Sequence, residues 1–225
     1  MRERLLRLLY PPKCVLCHCM LREGETDLCE SCRSWIEQEK QGYALKGEFM
    51  DGGFACYPYT GSVRESIHRY KFRGRKLYAA FYAQHMASVA LAHPELFDCD
   101  LVTAVPTNRS NRRRRGYDHA LLLGQAVASQ LGKPYLTTLA KNRETTAMYG
   151  LKPAERRANI LGAVDLACSP EQIAGKRVLM TDDIFTTGAT AGECARVLKM
   201  AGASKVTVLT FAKSGKDVQQ VIGNS

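Results

Sequence analysis

Val178, Leu179 and Met180 form a short apolar run with turn signals on both sides, the pattern of a buried parallel strand. From Thr190 to Ala201 the apolar residues Cys194, Val197, Leu198 and Ala201 recur at helical spacing, and Gly202 then supplies a stop. The same alternation runs upstream. Phe54 to Tyr59 predicts a strand, and Val63, Ile67 and Tyr70 line one face of a helix that Ser62 and Glu65 would open as a capping box. A basic loop, residues 71–76, separates it from a second helix over 77–92. Asp100 to Val105 predicts a buried strand. A helix from Tyr117 to Leu131 follows, with Leu121, Gly124, Ala128 and Leu131 in register. Val206 to Phe211 is the last predicted strand, and the tail beyond Ser214 should fray. Residues 33–53, with charges and Gly42, Gly47, Gly52 and Gly53, predict a linker or a poorly packed helix. Residues 140–160 lack periodicity; they predict a polar, mobile stretch able to close over a ligand, with one helical turn near Pro153 to Asn159 carrying Arg156 and Arg157. Strands alternating with helices imply an α/β fold.

Chemistry enters at the end of the 178–180 strand. Asp182 and Asp183 are followed by Thr186-Thr187-Gly188-Ala189-Thr190 and then the helix. Small residues let backbone N–H groups approach an anion, and a helix N-terminus adds roughly half a positive charge, so a phosphate is a natural guest. The carboxylates would repel that phosphate. As acceptors they suit the vicinal hydroxyls of a ribose, or a metal ion. The segment lacks the Gly-Lys-Ser/Thr of a P-loop and the G-x-G-x-x-G of a dinucleotide fold. An ordinary strand-to-helix turn with an N-cap is the bland alternative, but folding alone does not require five small or hydroxyl residues after paired carboxylates.

Cys14-x-x-Cys17 and Cys29-x-x-Cys32 place four thiolates at the spacing of a tetrahedral structural Zn2+ site. In zinc-finger peptides such binding is worth roughly 10–16 kcal/mol, enough to fold a segment with almost no core of its own. With four protein ligands no position is left open for catalysis. His18 and Cys19 lie beside the first pair as spectators, substitutes or supporting groups. Cys56, Cys99, Cys168 and Cys194 read as small buried apolar residues. Paired CxxC motifs argue for metal in a reducing compartment, hence the cytoplasm. The opening MRERLLRLLYPPK is too short and too charged for a signal peptide or membrane span, and predicts a short amphipathic helix ended by Pro11-Pro12. The organisation expected is a zinc module over residues 1–40 and an α/β domain over 41–225.

A formal charge of +10 points to acidic partners such as phosphorylated ligands, nucleic acid or anionic membrane. Five arginines fall within the seven residues 109–115, just after the 100–105 strand and Pro106-Thr107-Asn108. Ligands of open α/β sheets sit outside such strand ends. One or two of these arginines, and Lys71 or Arg73, are candidates for a diphosphate; the others face solvent or nucleic acid. Tyr70, Phe72, Tyr78 and Tyr82 could stack bases, although their helical spacing suits core packing for most of them. His119 is the nearest candidate for a base, and reads as an exposed bystander in a basic loop.

VLMTDDIFTTGAT closely resembles the ribose-phosphate motif of type I phosphoribosyltransferases, which bind 5-phosphoribosyl-1-diphosphate (PRPP) with Mg2+. The ordered set of CxxC pairs, YKFRGRK, VPTNRSNRRRRGYDHA, LKPAERRANILGAV and this motif is similar to the ComF family. The resemblance covers roughly residues 10–213. It implies a twisted, mainly parallel sheet flanked by helices, with a small N-terminal zinc finger of four cysteines. It implies that Asp182 and Asp183, as catalytic residues, contact the ribose hydroxyls, that Thr186, Thr187, Gly188, Ala189 and Thr190 wrap the 5′-phosphate, and that Val105 to Arg109, with Pro106 and Thr107, form the diphosphate loop. It also implies a role with single-stranded DNA during natural transformation, alongside competence-machinery proteins. The chain departs from the family where Arg115-Gly116-Tyr117-Asp118-His119 replaces a frequent R-G-F-N-Q, where Met148 replaces a Gln, and in having a single set of paired CxxC motifs. Two expectations result: a phosphoribosyltransferase, or a protein that binds nucleic acid or senses PRPP without turnover.

Overall fold

The computed structural model describes residues 11–39, 42–142 and 160–215. Five strands form the main sheet: β1 (Tyr43–Ala44), β2 (Gly52–Pro58), β3 (Leu101–Ala104), β6 (Arg177–Phe185) and β7 (Lys205–Lys213), in the order β1-β2-β7-β6-β3. β2, β7, β6 and β3 run parallel, and among the described residues only the edge strand β1 of this sheet is antiparallel. β4 (Leu139–Lys141) and β5 (Val164–Leu166) pair as a separate antiparallel ribbon. The helices are α1 (Glu30–Gln38), α2 (Gly61–Phe72), α3 (Tyr78–Ala92), α4 (Pro94–Phe97), α5 (Arg109–Arg115), α6 (His119–Leu131) and α7 (Ala189–Met200). This is the mainly parallel α/β architecture expected.

Strand side chains alternate between the two faces of a sheet, and here that alternation divides the core. Leu179, Leu209 and Phe211 join the cluster under α2, α3 and α6. Val178, Met180, Val206 and Val208 join a second cluster with Cys194, Ala195 and Leu198 of α7. Both faces are therefore covered, as a parallel sheet requires.

The zinc module docks on the first of these clusters. Val15, Leu16, Leu28, Cys32 and Ile36 are buried within it. The Ser66 hydroxyl donates to the Val15 carbonyl at 2.6 Å, and Arg69 donates to the carbonyls of Val15 and Leu16. Two main-chain acceptors of the cysteine loop are thus satisfied by α2.

Several local expectations change. α2 starts at Gly61, with Thr60 at the N-cap position and no side-chain cap bond. Gly61 takes φ +44, so the chain turns out of β2 before it reaches Ser62, and the Ser62/Glu65 capping box does not form. The described residues within 33–53 are more ordered than a linker: they hold the end of α1, all of β1, and Leu45, which is buried. Asp51 anchors their far end by accepting from the Val206 N–H at 2.6 Å and pairing with Lys199 at 2.7 Å. The arginine run is helix α5, closed by Gly116 in the left-handed region. Four of its five arginines, Arg112 to Arg115, fall in the last turn, where the helix dipole favours them. The expected N-terminal helix within 1–10, the expected mobile stretch at 143–159 with Met148, Arg156 and Arg157, and the tail from 216 lie outside the described residues. No helix among the described residues is long and apolar enough to cross a membrane.

Candidate active site and zinc centre

Asp182 and Asp183 are adjacent in β6, so they leave the strand on opposite faces. Asp183 turns toward α2 and α6, and is buried. Its Oδ1 lies 2.8 Å from the Lys71 ammonium, at the C-terminal end of α2. Its Oδ2 lies 3.4 Å from Nε2 of His119, the first residue of α6, and has no hydrogen bond among the described residues. Burial works to raise the Asp183 pKa, but the charge of Lys71, with help from His119 and Arg115, holds the carboxyl below its ordinary value. For Asp182 the balance falls the other way. Burial, reinforced by the neighbouring Asp183 charge, pushes it up to about 7. Its Oδ1 accepts the Asp183 N–H at 2.8 Å.

His119 is not the exposed bystander that the sequence suggests. It is buried, and its carbonyl accepts from the Tyr70 hydroxyl at 2.6 Å. Burial lowers its pKa to about 4, so the ring is neutral at pH 7. Arg115 donates to the neutral ring, its Nη1 lying 2.7 Å from Nδ1 and 3.1 Å from Nε2, while Asp183 Oδ2 stands 3.4 Å from Nε2 without a hydrogen bond between them. The signal for this in the sequence is slight: a histidine at the first position of an apolar helix.

The turn after β3 forms the opposite wall. Val105 N–H donates to the Thr181 carbonyl at 3.0 Å and ties the root of the turn to β6. Thr107 donates to Asp118 at 3.2 Å, and Asp118 caps α6 through the Leu121 N–H. A cavity of about 250 Å3 separates this turn from β6. Pro106, Thr107 and Asn108 stand on one side of it, and Asp182, Asp183, Thr186 and Thr190 on the other. Lys71, Arg115, His119 and Lys141 complete the wall. Nothing in the sequence pattern singled out Lys141, which sits at the end of the short strand β4. The Arg109 side chain lies outside the described residues.

The predicted phosphate loop divides between two spaces. Thr186, Gly188 and Thr190 ring a small recess of about 40 Å3 beside Asp182. Thr187 and Ala189 face a separate cavity of about 420 Å3 lined also by Glu193 and Arg196. Gly188, at φ +76, is the N-cap residue of α7, and a Cβ there would meet the Phe185 ring at 2.7 Å. The turn thus needs glycine on two counts: its conformation and its contact with Phe185.

In the N-terminal module, the sulfurs of Cys14, Cys17, Cys29 and Cys32 all lie within 4.8 Å of one another. Zn–S bonds of about 2.3 Å set tetrahedral sulfurs about 3.8 Å apart, and Cys17 and Cys29 stand at 3.6 Å. The four thiolates fit zinc, and the site is structural. Cys19 is exposed beside it; its hydrogen bonds with Cys17 and Cys29 push its thiol up to about 12. Of the other cysteines, Cys56, Cys99 and Cys194 are buried, and Cys168 is half-buried.

The N-terminal module has a counterpart among known domains: residues 5–43 match the double zinc ribbon domain. The chain is 27% identical over 223 residues to Competence protein F of Haemophilus influenzae, covering 90% of this chain and 97% of the relative. It is 28% identical over 228 residues to the DNA utilization protein YhgH of Escherichia coli K12, covering 92% and 99%. It is 23% identical over 189 residues to Competence protein ComFC of Bacillus subtilis, covering 83% and 72%. Among solved structures it is similar to the glutamine PRPP amidotransferase of B. subtilis, with a TM-score of 0.42 and 22% identity over 63% of this chain and 30% of that one. It is also similar to a hypoxanthine-guanine phosphoribosyltransferase of Bacillus anthracis, with a TM-score of 0.40 and 12% identity over 63% and 72%.

Proposed function

We propose that the chain, which is similar over most of its length to competence protein F and ComFC, binds PRPP with Mg2+ in the cavity between β6 and the turn after β3, and acts with single-stranded DNA in competence and DNA uptake. The observation that carries the ligand is a shared wall: Asp182, Thr186 and Thr190 border both the recess at the helix N-terminus and the adjoining cavity, which Asp183 and the cations Lys71, Arg115 and Lys141 also line. In this reading Thr186, Gly188 and Thr190 receive the 5′-phosphate, with Thr187 and Ala189 shaping the turn. Asp182 and the unpartnered Oδ2 of Asp183 accept from the ribose hydroxyls. Pro106, Thr107, Arg109 and Lys71 belong to the diphosphate side. The oxygen-rich wall suits Mg2+, which when bound with PRPP would neutralise charge on the leaving diphosphate. Residues 1–40 act as the zinc module and 41–225 as the phosphoribosyltransferase-like domain, and the cytoplasm is the proposed site of action.

As an enzyme it would break the bond from ribose C1 to diphosphate while an acceptor nucleophile bonds to C1 and passes its proton to the departing diphosphate or to solvent. Lys71 and Arg115 would stabilise the departing diphosphate. A second reading, binding without turnover, is favoured by one observation: His119 is buried and its ring is held by Arg115, so it is poorly placed to serve as the acceptor's base. A titration with PRPP and Mg2+, followed by diphosphate release with and without bases or oligonucleotides, separates the two. Saturable binding without release supports the second reading; absence of binding sinks both. Asp183→Asn should abolish PRPP binding and leave zinc content intact, and unchanged affinity would remove the ribose assignment.

A further inference from the structure

Phe72 ends α2 with 47% of its surface exposed, while Tyr70, Tyr78 and Tyr82 are buried. Core packing therefore accounts for the tyrosines and not for Phe72. Arginines from α5 lie over its ring: the Arg115 guanidinium carbon is 4.9 Å from the ring centroid and that of Arg114 is 5.8 Å away. The His68 ring stands at 4.9 Å in tilted contact. Phe72, Arg114 and Arg115 line a notch of about 380 Å3 with Lys71 and Gly74. Lys71 and Arg115 also border the 250 Å3 cavity, so the two spaces share a wall.

Adjacent guanidinium groups repel one another, and an anion between them relieves that cost. Guanidinium groups suit phosphate through paired hydrogen bonds. A half-exposed aromatic ring suits the face of a base, and interleaved arginines and aromatics are how single strands are held without regard to sequence. We infer that this notch docks one nucleotide of a single-stranded nucleic acid, with the base on Phe72 and the adjoining phosphate on Arg114 and Arg115. The inference rests on the nucleic-acid half of the proposed function, and sets the strand directly beside the PRPP cavity. A paired base keeps its faces stacked within the helix, so duplex is the poorer ligand.

The test is fluorescence anisotropy of the full chain with a labelled oligo(dT), an abasic oligonucleotide of equal length, and a duplex. Phe72→Ala and Phe72→Leu should each weaken oligo(dT) binding by about tenfold, leave abasic binding unchanged, and keep zinc content. Phe72→Tyr should bind as the parent does. Equal weakening on oligo(dT) and the abasic strand, no weakening on either, or tighter binding of duplex than of oligo(dT) would overturn the docking site and leave the PRPP reading standing. Failure of the parent protein to bind any oligonucleotide would overturn the nucleic-acid half of the function as well.

Discussion

The Lys71 ammonium lies 2.8 Å from Oδ1 of Asp183, a carboxylate with 4% of its side chain exposed. One residue ends a helix early in the chain and the other lies inside a late strand, so the contact joins two segments that the fold alone brings together. It lowers the pKa of Asp183 against the effect of burial, whereas burial and the Asp183 charge raise that of Asp182.

Lys71→Met should strand that charge. Breaking one partner of a buried pair costs about 3–5 kcal/mol, and the lower end is expected here because Lys71 keeps 20% exposure. Adding Asp183→Asn should restore most of the loss. Denaturant unfolding of the four proteins in the cycle measures this, and additive losses would contradict the pairing.

His119 and Asp182 should give opposite pH slopes of stability. The folded His119 pKa is lowered to about 4, so its contribution is present above the unfolded value and is lost as pH falls from about 6.5 toward 4. The folded Asp182 pKa is raised to about 7, so stability rises as pH falls from about 7 toward 4. His119→Gln should leave the second slope exposed, and Asp182→Asn the first. Each slope is at most about 1.4 kcal/mol per pH unit. Unfolding curves between pH 4 and 7.5 measure both signs.

Gly188→Ala should impair the phosphate recess more than the fold. A left-handed alanine costs about 1–2 kcal/mol, and the Phe185 ring must move to admit the methyl group. Binding of ribose 5-phosphate, followed by calorimetry, should fall by more than tenfold, with a modest loss in unfolding midpoint.

Zinc stoichiometry should be one per chain, although the matched domain is a double ribbon. Residues 5–43 contain five cysteines, enough for one tetrahedral set. Chelation or Cys32→Ser should also lower the melting temperature, because Ser66 and Arg69 would lose ordered carbonyl partners. Metal analysis of the purified chain measures the ratio, and two tightly held ions would contradict it.

The legible parts of this protein are those whose chemistry is written within a dozen or so consecutive residues. The CxxC pairs announced four convergent thiolates because a knuckle is a local turn. The apolar run, the threonines and the glycine announced β6, its loop and α7 for the same reason. The Ser62/Glu65 box misled because Gly61 begins the helix one step earlier. His119 misled because charge around a residue in sequence says little about what covers it in space.

By itself the sequence determined the alternation of strands and helices, the thiolate set, and the strand–loop–helix segment that would hold a phosphorylated sugar; each depends on spacing along one stretch of chain. Only the tertiary structure decided which face of β6 each of Asp182 and Asp183 takes, that Lys71 and His119 both meet Asp183, and that Phe72 faces outward while Tyr70 faces in. Those outcomes depend on the phase of each helix against the sheet. That phase is set by the packing of α2, α3 and α6 over Leu179, Leu209 and Phe211, a sum of contacts between distant segments that no local pattern records.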